Sequence, residues 1–184
     1  MVRDMLHIKI TPTEYWDEKK EEFVTVGKEQ ELQLEHSLVS ISKWEMKHHK
    51  PFLTKESKTD EEMIDYIKCM TMTQNVDPEV YENLPNSVLK QINDYIADSM
   101  TATTFSQQNQ QPTREIITSE LVYYWMIASN IPMECQKWHI NRLLTLIRIC
   151  SIKNAPPKKM GKRELASQYA SLNAARRQRF NSRG

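Results

Sequence analysis

The stretch Leu34–Glu45, LEHSLVSISKWE, contains the change of period that decides the fold. Just before it, Leu32 and Leu34 alternate with Gln33, the period of a strand. From Leu34 onward, Leu38, Ile41 and Trp44/Glu45 recur at spacings of three and four, the period of a helix with one buried face. This places a helix near 35–48. His48-His49-Lys50-Pro51 ends it, because proline cannot continue the hydrogen-bond ladder. A strand that runs directly into a helix points to a mixed architecture.

Toward the N-terminus, Leu6, Ile8 and Ile10 fall on one face, with His7 and Lys9 on the other. That is a half-buried strand, closed by Pro12. Phe23–Val26 reads as the second strand of a hairpin, and Leu32/Leu34 as a third.

Toward the C-terminus, Thr59-Asp60-Glu61-Glu62 is a capping box, followed by Met63, Ile64, Ile67 and Met70 as a buried stripe. Asp77-Pro78 starts a short helix through Val80 and Tyr81. Ser87 opens another, with Val88, Ile92, Tyr95 and Ile96 inward. Thr101–Phe105 and Arg114–Thr118 are rich in β-branched residues and flank the polar Ser106–Thr113, so a hairpin is expected over 101–118. Ser119 caps a helix from Glu120 to about Ser129 that is apolar nearly all round, the mark of a core or an interface. The longest helix is expected at 133–152, with Cys135, His139, Leu143, Leu146 and Cys150 on one face. Leu121, Trp125, Trp138, Leu143 and Leu146 should form the core, with Leu38 and Trp44 nearby. All four tryptophans read as core anchors.

The fold class is therefore α+β, predominantly α-helical. A small N-terminal β-hairpin element packs on a helical core, with a basic C-terminal helical tail. Residues 1–154 form the globular domain and 155–184 a tail hinged at Ala155-Pro156-Pro157. From Lys153 to Gly184 nine Lys/Arg oppose the single acid Glu164, a net of +8; the chain is +1, so residues 1–152 carry −7. Such a separation suits a protein that docks. Within the tail Leu165, Tyr169 and Leu172 are spaced four and three. That stripe is too thin to fold alone, so the tail is expected to be mobile alone and helical on a partner. The residues assigned to partner binding are Leu165, Tyr169, Leu172, Arg176, Arg177, Arg179, Lys158 and Lys159. Protein contact is favoured over nucleic acid because the basic charge accompanies an apolar stripe. A membrane surface ranks last, because the stripe lacks Trp. The acidic body of a neighbouring copy would also serve, giving a homo-oligomer.

No catalytic signature accompanies this layout. There is no GxSxG elbow. His48 and His49 are adjacent, so a helix would point them apart, and no HxxxH or cysteine pair completes a metal site. His139 lies on an apolar face and reads as a satisfied core histidine. Carboxylates such as Glu61/Glu62 sit in first turns, where the helix dipole explains them. No catalytic residue, metal or cofactor is assigned. Three glycines argue against a phosphate-cradling loop, and three cysteines without a CxxC spacing suggest reduced thiols. No signal peptide is expected, and no apolar run approaches the ~20 residues of a membrane span.

Three stretches together carry a family resemblance: LEHSLVSISKWE (Leu34–Glu45), MTATTF (Met100–Phe105) and EIITSELVYYWMIASNIPMECQKWHINRLLTLIRICSIKNAPPKKM (Glu115–Met160). The chain resembles the tail assembly chaperones of long-tailed bacteriophages, small proteins encoded among the tail genes. The resemblance implies binding to the tape measure protein, help in recruiting tail tube protein, action in the host cell cytoplasm during assembly, and no catalysis. It also implies a longer form made by frameshifting near Pro156-Pro157-Lys158-Lys159. Two other readings remain: a ring-forming structural protein of the tail or neck, retained in the virion, and, ranked lower, a DNA-binding connector factor.

Overall fold

In the computed structural model, the N-terminal region is a long two-stranded ribbon leading into helices. The structure describes residues 5–17, 21–26, 29–54, 56–105, 115–155 and 161–180. It divides into two compact units, Met1–Ser151 and Ile152–Gly184. The fold is α+β and mostly helical.

The ribbon has four strand segments: β1 (Leu6–Ile10), β2 (Thr13–Asp17), β3 (Glu22–Val26) and β4 (Gln30–Leu34). β1 pairs antiparallel with β4, and β2 with β3. The expected pairing of the first strand with Phe23–Val26 is therefore corrected: Phe23 pairs with Trp16 further out. The reason lies in β4. Leu32 and Leu34 are fully buried and sit opposite Ile8 and Leu6, so the apolar faces of β1 and β4 meet the core together. The two ladders differ in register by one residue, Ile8 facing Leu32 but Trp16 facing Phe23. A one-residue slip changes which face a side chain occupies. Trp16 and Phe23 stack edge to face at 5.0 Å and are both exposed, so Trp16 is not a core anchor.

α1 (Leu38–His48) starts three residues later than its periodicity suggests. Ser37 caps it: its hydroxyl accepts from the Ser40 N–H, and the Ser40 hydroxyl accepts from the Ser37 N–H. His49 ends it in the left-handed region, donating its N–H to the Glu45 carbonyl at 2.8 Å. α2 (Asp60–Met70) begins with the Thr59/Glu62 capping box. The two helices are joined by the Trp44 indole N–H donating to the Glu62 carbonyl at 2.9 Å, and by Phe52 stacked on Tyr66 at 3.9 Å. At one end Lys50 pairs with Glu62, and Lys47 and His48 both pair with Asp65.

α3 (Glu79–Glu82) and α4 (Asn86–Ala97) follow, with Val80, Tyr81, Val88, Ile92 and Tyr95 buried as their spacing requires. The hairpin expected over 101–118 is absent from the described part of that segment. Residues 101–105 and 115–118 form no strand, and 106–114 lie outside the described residues. Near it, Asp98 accepts from the Met100 N–H and the Thr101 hydroxyl from the Thr103 N–H. These local turns compete with a strand ladder.

α5 (Ser119–Ala128) is capped by Thr118, one residue earlier than expected. Only Ser119, Val122 and Met126 of this helix are buried. Its apolar sequence therefore covers both a core face and a surface face. The long helix expected at 133–152 is broken: Met133–Lys137 is a 3₁₀ turn, and α6 (Ile140–Asn154) starts after His139. The break has a cause. His139 forms a β-bridge with Ser37, and the Ile140 N–H donates to the His36 carbonyl at 2.9 Å, so these groups bond across the fold rather than along a helix. α7 (Lys162–Phe180) belongs to the second unit.

The core differs from the expected set. Leu38, Trp44 and Leu143 are buried, but Leu121, Trp125, Trp138 and Leu146 are only half-buried. Val122, Met126 and Ile140 take the central places instead. Trp44→Ala should cost roughly 3–5 kcal/mol in urea denaturation. Trp125→Ala should cost less, because that side chain is only partly buried.

Candidate interaction surfaces and the buried histidine pair

The assigned partner-binding residues lie mostly on α7. Ala166, Ala170, Ala174, Ala175, Arg176 and Arg177 are strong helix formers, and Arg177 and Arg179 in the last turn complement the helix dipole. The segment is helical in the chain itself, which corrects the expectation that it needs a partner to become so. Tyr169 and Leu172 are exposed, at 59% and 48%, and Phe180 at 72% extends the apolar surface. Arg176, Arg177 and Arg179 are exposed on the same helix. The Leu165 side chain, and Lys158 and Lys159 altogether, lie outside the described residues.

A second exposed apolar surface escaped the sequence reading. Tyr124 and Ile127 on α5 are 63% and 66% exposed, three residues apart on the face opposite Val122 and Met126. Composition conceals it, since α5 reads as apolar on every side.

The polar chemistry of the body is buried. His36 and His139 are 3% and 0% exposed, with ring centroids 4.8 Å apart. His36 Nδ1 meets the Tyr66 hydroxyl, and the His36 N–H donates to the Tyr95 hydroxyl at 3.2 Å. His139 Nε2 donates to the Tyr95 carbonyl at 2.9 Å, and its Nδ1 accepts from the Asn141 N–H at 3.4 Å. Those two bonds require a neutral imidazole with its proton on Nε2. Burial, and then the neighbouring His139, push the His36 pKa down to about 3. Burial pushes the Tyr66 hydroxyl well up. All of these groups are thus held neutral inside aromatic walls, where a substrate has no access. The arrangement packs and orients; it does not present a base to a cleft.

Nearby, the buried Glu45 carboxylate accepts from the Phe52 N–H and the Ser119 N–H, both at 2.7 Å. It ties the loop after α1 to the start of α5. Glu35 Oε2 and Ser119 Oγ are buried without a hydrogen-bond partner among the described residues.

At the surface, His48 Nε2 donates to the Asp65 carboxylate at 3.0 Å while the ring stacks on Trp44 at 4.4 Å. Its partner Lys47, and then His48 itself, hold the Asp65 carboxyl below its usual range. His49 is the helix cap, so the two adjacent histidines do different structural work. Among the described residues no group of three His, Cys, Asp or Glu side chains is placed to hold a metal ion. Cys69, Cys135 and Cys150 are free thiols, and burial raises the pKa of the first two. Among the described residues no helix is long and apolar enough to cross a membrane.

Compared with known protein families, characterised proteins and solved structures, the chain matches none.

Two measurements check the buried groups. The folded pKa of His36 lies below its unfolded value, so acid protonates the unfolded chain first. Stability is complete above about pH 6.5 and falls as the pH drops toward 3, with about 2 kcal/mol lost by pH 5. Urea midpoints at pH 7 and pH 5 should show that loss, and His36→Asn should reduce it. Glu45→Ala, which strips two buried N–H groups of their acceptor, should cost about 3 kcal/mol; Glu45→Gln, which keeps one acceptor oxygen, should cost less.

Proposed function

We propose that this protein is a tail assembly chaperone of a long-tailed bacteriophage. It binds the tape measure protein, keeps it soluble, and helps recruit tail tube subunits in the host cell cytoplasm. It acts by binding, without catalysis. The observation that carries this reading is α7: a basic helix, distinct from the globular unit, with Tyr169, Leu172 and Phe180 exposed. A tape measure protein exposes long amphipathic helices before the tube encloses it. The exposed Tyr169, Leu172 and Phe180 offer such a partner apolar contacts by helix-to-helix packing, while Arg176, Arg177 and Arg179 steer the encounter. The exposed Tyr124/Ile127 face of α5 supplies a second apolar surface for the same client. The resemblance read in Leu34–Glu45, Met100–Phe105 and Glu115–Met160 points to the same family.

Co-expression with the tape measure protein of a long-tailed bacteriophage tests it. The wild-type chain should keep that protein in the soluble fraction and co-purify with it. Tyr169→Asp with Leu172→Asp should abolish co-purification while leaving the melting temperature unchanged, because both side chains are exposed. A tape measure protein that precipitates equally with and without the wild-type chain would end the reading. Detection of the chain at fixed stoichiometry in purified virions would favour a structural tail or neck protein instead.

A further inference from the structure

The negative charge of the body is concentrated in one stretch. Between Pro51 and Met100 ten Asp/Glu oppose four Lys, a net of −6, against −7 for all of residues 1–152. This stretch folds as α2, α3 and α4. Glu62 and Asp65 on α2 are already neutralised, by Lys50 and by Lys47 with His48. Glu79, Glu82 and Asp94 on α3 and α4 are exposed and form no ion pair among the described residues. Leu84, Leu89 and Ile96 of the same stretch are only half-buried.

α7 has the complementary character. It carries five Lys/Arg against one Glu, a net of +4, together with the exposed Tyr169 and Leu172. Each copy therefore brings an acidic stretch and a basic helix with Tyr169 and Leu172 exposed, and their charges nearly cancel over the whole chain, at +1.

We propose that α7 of one copy docks on the α3–α4 surface of a second copy. Its arginines meet Glu79, Glu82 and Asp94. The contact joins two different surfaces, so it is heterologous. Repetition closes a ring if the rotation permits and otherwise extends a chain of copies. Opposite charge speeds the encounter and makes it sensitive to salt, because screening shortens the reach of exposed charges to about 3 Å at 1 M. The inference stands without the tape measure reading, since it needs this chain alone.

Charge-swap complementation of the full chain tests it, by sedimentation velocity at about 0.1 mM protein with far-UV circular dichroism to confirm folding. In low salt the wild type should sediment well above the 21.7 kDa of one copy, and it should return to that mass in about 1 M salt. Arg176→Glu/Arg177→Glu/Arg179→Glu should be monomeric, and so should Glu79→Lys/Glu82→Lys/Asp94→Lys. An equimolar mixture of the two folded variants should re-associate, because the reversed tail of one fits the reversed body of the other. A wild type that stays monomeric in low salt overturns the proposal, and a tail folding back on its own body would give that result. Association unaffected by either triple substitution also overturns it, as does a mixture that stays monomeric.

Discussion

The junction between β4 and α1 is extended and buried, so its peptide groups must find partners inside the protein. Those partners come from elements far apart in sequence. Glu35 donates to the Met70 carbonyl at 2.9 Å, at the end of α2, and Gln33 accepts from the Met72 N–H at 2.8 Å. His36 donates to the Tyr95 hydroxyl of α4 and accepts from the Ile140 N–H at the start of α6. The Ser40 hydroxyl closes the remaining Glu35 carbonyl at 2.6 Å. One short segment thereby fixes the ribbon, α2, α4 and α6 to a single point. An unpaired buried peptide group costs as much as a lost hydrogen bond, so none of these elements can move without penalty.

The same constraint explains the neutral histidines. His36 brings its imidazole into an aromatic box because its backbone is already held there. Burial then removes its charge, and the two bonds of His139 fix that ring in one tautomer. Two histidines meeting in a protein interior suggest chemistry at first sight. Here each is enclosed on every side, and the groups that reach water are instead the ion pairs joining α1 to α2. The surface offers instead the exposed face of α5, the acidic α3–α4 stretch and the basic helix α7.

Much of the fold was legible in local patterns. The Thr59/Glu62 capping box, the alternation of Leu6, Ile8 and Ile10, and the spacing of Val88, Ile92 and Tyr95 each came out as their period implied. The errors share a character. The first strand pairs with β4 rather than β3, the helix expected at 133–152 breaks at His139, and α5 buries one face only. In each case the local pattern was compatible with two outcomes, and a distant partner chose between them. Trp125 and Trp138 looked like anchors because large aromatic residues usually are, yet Trp44 alone of the tryptophans is fully buried among the described residues. Of the surfaces, α7 was legible through charge and spacing. The Tyr124/Ile127 face was not, because a uniformly apolar helix does not say which side the core will take.

Most of the element types, the class of fold, and the separation of an acidic body from a basic tail are written in the sequence. These follow from periodicity, capping and charge, which act between residues close in the chain. Tertiary structure alone decided strand pairing, the break before α6, the burial of His36 against His139, and which face of α5 meets solvent. Each of those depends on backbone groups and side chains brought together across tens of residues. Local propensity differences are smaller than the cost of leaving a buried peptide group unpaired, so the distant partner prevails.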